Sequence, residues 1–221
     1  MDAEKTITVW GWPVRLCHWS FAFLVPMMWY TAENSLWWWH TRLGMVLFGV
    51  LLFRISWGFA GSGTARFAQF VRGPSAVFAY LRGKYDEGIG HSPLGALGVV
   101  ALLGAMSLQV GMGLFAGDPF DGATGPLNGL VGVMTADMLT DWHETFLWVV
   151  LGLVALHLSA IAFYDVIKHS NLIEPMITGQ RDVPASLAEN IEHGSRANPF
   201  IVLIICAAIT VWVWLGAPPF S

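Results

Sequence analysis

Five stretches of this chain stay apolar for about as long as a helix needs to cross a bilayer, roughly 20 residues. They run over about 14–32, 38–60, 93–116, 142–165 and 198–216. The connections are polar or rich in Gly and Pro: 61–92 carries Arg66, Arg72, Arg82 and Lys84 with Gly-Pro at 73–74, and 166–197 carries mixed charge. The pattern predicts an all-α integral membrane protein. Four of the expected spans fall within 1–180, and 181–221 supplies a polar connection and a fifth C-terminal transmembrane helix. Residues 126–138 are expected to form a short helix lying on the membrane surface, or a reentrant or surface loop.

Composition agrees with the pattern. Hydrophobic residues make up 55% of the 221 and charged ones 12%, against about 25% charged in a soluble domain. Mean hydropathy is +0.58. The 12 Trp suit membrane interfaces and the faces of flat cofactors. No basic run suggests nucleic acid. Cys17 and Cys206 lie far apart in apolar segments, so they offer no disulfide framework and read as buried thiols. The N-terminal residues lack a basic region and a cleavage site and do not read as a secretory signal; the first span directs insertion.

Charge sets the orientation. If five spans alternate, Lys5, Arg15, Arg54, Arg66, Arg72, Arg82, Lys84, Lys168, Arg181 and Arg196 fall on one side and Arg42 on the other. By the positive-inside bias the N-terminus is expected to be cytoplasmic and the C-terminus external. The outer side is acidic, with Glu33, Asp118, Asp121, Asp137, Asp141 and Glu144.

Ionisable groups inside a span are costly and mark function. Of seven His, His91, His169 and His193 sit in polar loops or at their edges and read as ordinary solvated or interfacial residues. His18, His40, His143 and His157 lie in or at the ends of apolar spans. His143 and His157 are 14 residues apart, about 21 Å along one helix and within about 40° of the same face. Alternating spans put His40 level with His143 near the outer surface, and His18 near the depth of His157 on the cytoplasmic side. A bundle presents metal and cofactor ligands inward in this way. Two imidazoles saturate a haem iron and favour electron transfer over oxygen binding. A lone His on an apolar face is more often a satisfied core residue, but four that match pairwise in depth are harder to dismiss.

Met27, Met28 and Met45 are weaker candidates, since Met mostly packs. Cys17-His18 lacks the second Cys of a c-type attachment. Zinc is disfavoured, the His being spread over three helices without carboxylates nearby. Gly44, one turn from His40, and Gly95, Gly98, Gly104, Gly111 and Gly113 in the third span leave room for a planar cofactor or serve tight helix packing. Arg15 and Arg42 lie close to His18 and His40, placed either to neutralise haem propionates or to snorkel to headgroups.

The segments WPVRLCHW at 12–19, HTRLG at 40–44, FRISWGFAG at 53–61, GHSPLGALG at 90–98, HETF at 143–146, ALHLSA at 155–160 and NLIEPMITG at 171–179 together resemble the bacterial cytochrome b561 and nickel-iron hydrogenase b-type cytochrome family. The resemblance covers about 9–180. It implies a four-helix di-haem bundle with two haem b groups, ligated by His18, His40, His143 and His157. It also implies a link between the quinone pool and a partner outside the membrane, such as a hydrogenase-like subunit or a c-type cytochrome. The quinone would then sit near the cytoplasmic haem and the 61–92 loop. The fifth span exceeds the family's minimal pattern and would contact a partner or seal the bundle.

Three functions are compatible with these features. The first is an electron-transfer subunit of an oxidoreductase, quinone-reactive on one side. The alternative is a stand-alone superoxide oxidase reducing ubiquinone; an outer face with one Arg against six carboxylates suits an anionic substrate poorly. The third is a structural or transport bundle whose His merely align. Homo-oligomerisation is left open.

Overall fold

A computed structural model describes residues 4–84, 90–117, 123–188 and 196–219. Asp118, Asp121 and His193 lie outside the described residues. The elements run β1 (Glu4–Thr8), α1 (Trp12–Glu33), α2 (Trp37–Ala60), α3 (Phe67–Phe70), α4 (Pro74–Leu81), α5 (Pro93–Phe115), α6 (Val133–Val166), α7 (Ile173–Thr178), β2 (Gln180–Pro184), α8 (Ala185–Ala188) and α9 (Pro199–Trp214). Single 3-10 turns occupy Gly63–Ala65 and Asn128–Leu130.

All five apolar stretches are therefore helical. By length and composition α2, α5 and α6 are long and apolar enough to cross a membrane. The 16 residues of α9 are apolar but fewer than a full span. Local chemistry sets several boundaries. Pro74, Pro93 and Pro199 each open a helix, where a missing N–H costs nothing. Ser92 precedes α5, and its hydroxyl accepts the Gly95 N–H at 3.1 Å, which caps that end.

The expectation for 126–138 is corrected. The 3-10 turn ends at Leu130, and Val133 already begins α6. That helix is a single rod of 34 residues, because Val133–Glu144 contains no Gly or Pro to interrupt it.

The chain divides into two compact units. The first comprises Met1–Leu16, Arg54–Leu102 and Leu153–Pro199. It contains a small antiparallel sheet absent from the all-α expectation, with Glu4 opposite Pro184 and Thr8 opposite Gln180. Its strands are too short to show in a hydropathy profile. Ile7 and Val183 turn to one face and are buried, while their neighbours stay exposed, as the two-residue period of a strand requires. Thr6 donates to Asp182 at 2.5 Å across the sheet. The expected boundary at 180/181 falls inside β2.

The second unit comprises Cys17–Phe53, Leu103–Gly152 and Phe200–Ser221. Its core gathers Met45, Leu114, Leu127, Val213 and Ala217, so α9 packs into it together with α2 and α5. At Gly49 an added Cβ would meet the Thr210 hydroxyl at 3.0 Å. The small residue thus lets α2 and α9 approach closely.

Candidate haem-ligand site

The second unit brings the rings of His40 and His143 together. Their ring centroids are 6.1 Å apart with the planes at 87°. Each imidazole is held by its Nδ1. That of His40 lies 3.1 Å from the Met28 carbonyl oxygen and 3.2 Å from the Thr31 hydroxyl. That of His143 lies 2.8 Å from the Gln109 carbonyl oxygen. A carbonyl only accepts, so both Nδ1 atoms carry the proton and donate it. Each Nε2 is left with its lone pair free, the tautomer a metal-ligating His adopts when a carbonyl fixes its other nitrogen.

The shell around the rings is built by α1 and α5. Thr31 is buried, and its hydroxyl also bonds the carbonyls of Met27 and Met28 at 2.9 and 3.0 Å. Gln109 reaches back with its side chain, donating Nε2–H to the His143 carbonyl at 2.9 Å. α5 and α6 are thereby clasped twice at one level. Gly113 stands one turn further on. A Cβ there would lie 2.8 Å from Cε1 of His143, so only glycine admits the ring in this position. Gly44 faces Met28, with an added Cβ 3.3 Å from the Met28 methyl.

These observations test whether a haem suits the couple. Two metal–imidazole bonds of about 2 Å, end to end, plus half of each ring, separate centroids by about 6 Å, and the rings stand at that separation. The two free Nε2 atoms and the fixed tautomers complete the donor set a bis-imidazole iron needs. The residues present fit the group.

His18, in α1 within the second unit, packs edge-on against Trp19 at 5.2 Å. His157 belongs to the first unit, on the stretch of α6 after Gly152. Arg15 donates to the Ile177 carbonyl at 2.5 Å, tying α1 to the end of α7. Arg42 lies 3.5 Å over the ring of Trp38 and 5.6 Å from that of Trp214 in α9, and donates to the Trp38 carbonyl at 3.2 Å. Met45 is core, and Met28 serves through its carbonyl. Cys17 and Cys206 are buried thiols outside any disulfide.

His91 departs from its reading as a solvated residue. It is packed between Trp10 and Phe70, with centroids 4.5 Å from each. Burial, and then the nearby Arg54 guanidinium, push its pKa down to about 4. The surrounding loop is polar in sequence, but Trp10 and Phe70 come from distant positions and close over the ring.

Thr31 and Gln109 escaped the sequence reading, although Gln109 is the one amide side chain in the apolar run of α5. A polar group inside a span was the available signal.

A model of the prokaryotic cytochrome b561 family matches residues 9–179. The chain belongs to that family. A similar protein is the "Probable Ni/Fe-hydrogenase B-type cytochrome subunit" of Bradyrhizobium diazoefficiens, 25% identical over 214 residues, covering 80% of this chain and 87% of that one. No solved structure matches. Membership makes this cytochrome b561-family chain a helical membrane protein that binds haem b and serves electron transfer. In this cytochrome the matched stretch contains His18, His40, His143 and His157, and it ends at Gly179, before α9 begins.

Proposed function

We propose that this cytochrome carries electrons across the bacterial inner membrane through two b haems, linking the quinone pool to a redox protein on the periplasmic side. The observation that carries the reading is the facing pair His40 and His143 with both Nδ1 atoms bound to carbonyls. His18 and His157 form the second couple. Their support is depth in the sequence, together with the 14-residue spacing of His143 and His157 on one helix. A b haem between two imidazoles supplies a one-electron carrier with no open coordination position.

The protein's own residues hold, orient and insulate. Met28, Thr31 and Gln109 fix the rings, and Gly113 makes room for one of them. Arg42 lies near the His40 level, with guanidinium N–H groups left for a propionate beside its bond to Trp38. Arg15 is the matching cation on the cytoplasmic side. Gly44 keeps α1 and α2 close beside His40. By the resemblance to quinone-linked members, the quinone would sit near the cytoplasmic couple and the 61–92 loop. The external partner is a c-type cytochrome or a hydrogenase-like subunit, the latter favoured by what the Bradyrhizobium relative's name says of that protein.

The test is haem stoichiometry with ligand variants. The purified chain should carry two haem b. H40A or H143A should each remove one and leave the other's spectrum intact, and H18A or H157A should remove the second. One haem per chain, or variants that leave both in place, refutes the assignment. A superoxide oxidase reading would gain from rapid haem reduction by superoxide with formation of quinol.

A further inference from the structure

α6 is much longer than the membrane requires. Its 34 residues span about 51 Å, against a hydrocarbon core of about 30 Å. Even a tilt of about 40° leaves about 39 Å along the membrane normal. The stretch Thr145–Tyr164 contains no Asp, Glu, Lys or Arg and is long enough to cross. Val133–Glu144, three turns, is left over.

Within the second unit this end stands above α2. His40 and His143 are at one level. α2 begins three residues before His40, and α6 begins ten before His143. At 1.5 Å per residue the tip of α6 rises about 10 Å beyond the start of α2. One flank of the tip is covered: Ala136 is buried, and the Thr140 hydroxyl accepts the Gly117 N–H at 3.0 Å.

The other flank is open. Val133 is 73% exposed and Met134 88%, with Met138 exposed beside them. Asp137, Asp141 and Glu144 are exposed as well. At about 100° per residue these six side chains share an arc of about 140°. Apolar groups and carboxylates are thus interleaved on one surface.

That mixture selects the occupant. A helix lying in the lipid interface segregates its faces and puts Lys and Arg on the polar one; this arc carries neither. A second copy would set carboxylate against carboxylate, which costs free energy. The whole sequence of the second unit holds six carboxylates against one Arg, and that Arg42 is stacked on Trp38.

We propose that Val133–Glu144 is the docking face for a small basic redox protein, one with an apolar patch ringed by lysines. Val133, Met134 and Met138 meet the patch, and Asp137, Asp141 and Glu144 meet the lysines. The face ends at Glu144, next to His143 in the chain, so a protein seated there reaches the level of the His40–His143 couple, with α6 between it and the His143 ring. This rests on the reading of that couple as haem ligands.

The experiment uses the full chain in lipid nanodiscs and mitochondrial cytochrome c, a lysine-ringed haem protein, as probe. Binding is measured with the zinc-substituted form and electron exchange with the ferric form, each over a range of salt. The variant D137N/D141N/E144Q should weaken binding tenfold or more at low salt and flatten its salt dependence. M134S/M138S should weaken binding at all salt concentrations alike. An equal charge loss in the first unit, E4Q/D165N/E174Q, should change neither. Binding by the acidic-face variant equal to that of the unaltered chain, or an equal loss in the first-unit control, overturns the proposal. Binding that persists without electron exchange counts against the haem reading and leaves the docking face standing.

Discussion

At the scale of single residues, two side chains carry consequences that their types alone do not announce. Gly113 is the first. Gly113→Ala would place a methyl 2.8 Å from the His143 ring, closer than carbon atoms approach, so the imidazole must swing away from the Gln109 carbonyl. Loss of such an orienting partner commonly costs 10–100-fold in metal affinity. The expected outcome is a folded protein with haem content falling toward one per chain, read by the pyridine haemochrome spectrum. Gly113 was visible in the sequence only as one of several glycines in the third span. What singles it out is the ring it faces, a contact across 30 residues that spacing does not reveal.

His91 is the second. Its imidazole takes a proton near pH 6.5 when unfolded but only near 4 when packed between Trp10 and Phe70. A depressed folded pKa contributes stability above the unfolded value and loses it as pH falls. Between pH 6.5 and 4 the folded state should therefore lose on the order of 3 kcal/mol from this group. His91→Phe, which keeps an aromatic ring in the slot and has no proton to bind, should flatten that part of the profile. Unfolding temperature in detergent from pH 7 to 4, compared between the two chains, measures it.

At the scale of elements, the five apolar runs were legible as helices, four of them with bounds within a few residues, whereas α6 begins nine residues before its expected start. Short elements were not. β1 and β2 are five residues each, and their pairing joins positions nearly the whole bundle apart in sequence. The join depends on the end of α7. Gly179 takes φ +85° there, and its carbonyl accepts the N–H groups of Val9 and Trp10 at 2.8 and 3.1 Å. A Cβ would meet the Trp10 carbonyl oxygen at 2.7 Å and Arg15 Nε at 3.1 Å. Gly179→Ala thus combines a left-handed backbone with a clash and should cost about 1–3 kcal/mol. The check is a lower unfolding temperature together with earlier proteolytic cutting near Val9–Gly11. An unchanged cutting rate would mean that the strand pairing does not depend on this turn.

At the scale of the whole molecule, charge and compactness divide the chain the same way. The first unit's sequence holds ten of the eleven Lys and Arg residues, and the second holds Arg42. The positive-inside bias would produce such a split of charge. The His were legible for a related reason: a costly group in an apolar run stands out, and His40 and His143 do meet as depth predicted. The rods themselves hid their ends, because the apolar part of α6 gives no hint that helix continues ten residues before His143. If the basic unit faces the cytoplasm, alkaline phosphatase fused after residue 219 should be active and fluorescent protein there dark. Phosphatase inserted after Lys84 should be inactive. Truncation before Pro199 should then silence a C-terminal phosphatase, because four crossings return the chain to the side of its N-terminus. An active fusion on the truncated chain would remove α9 from the count of spans, and an active insertion at Lys84 would invert the orientation and with it the side on which the tip of α6 meets its partner.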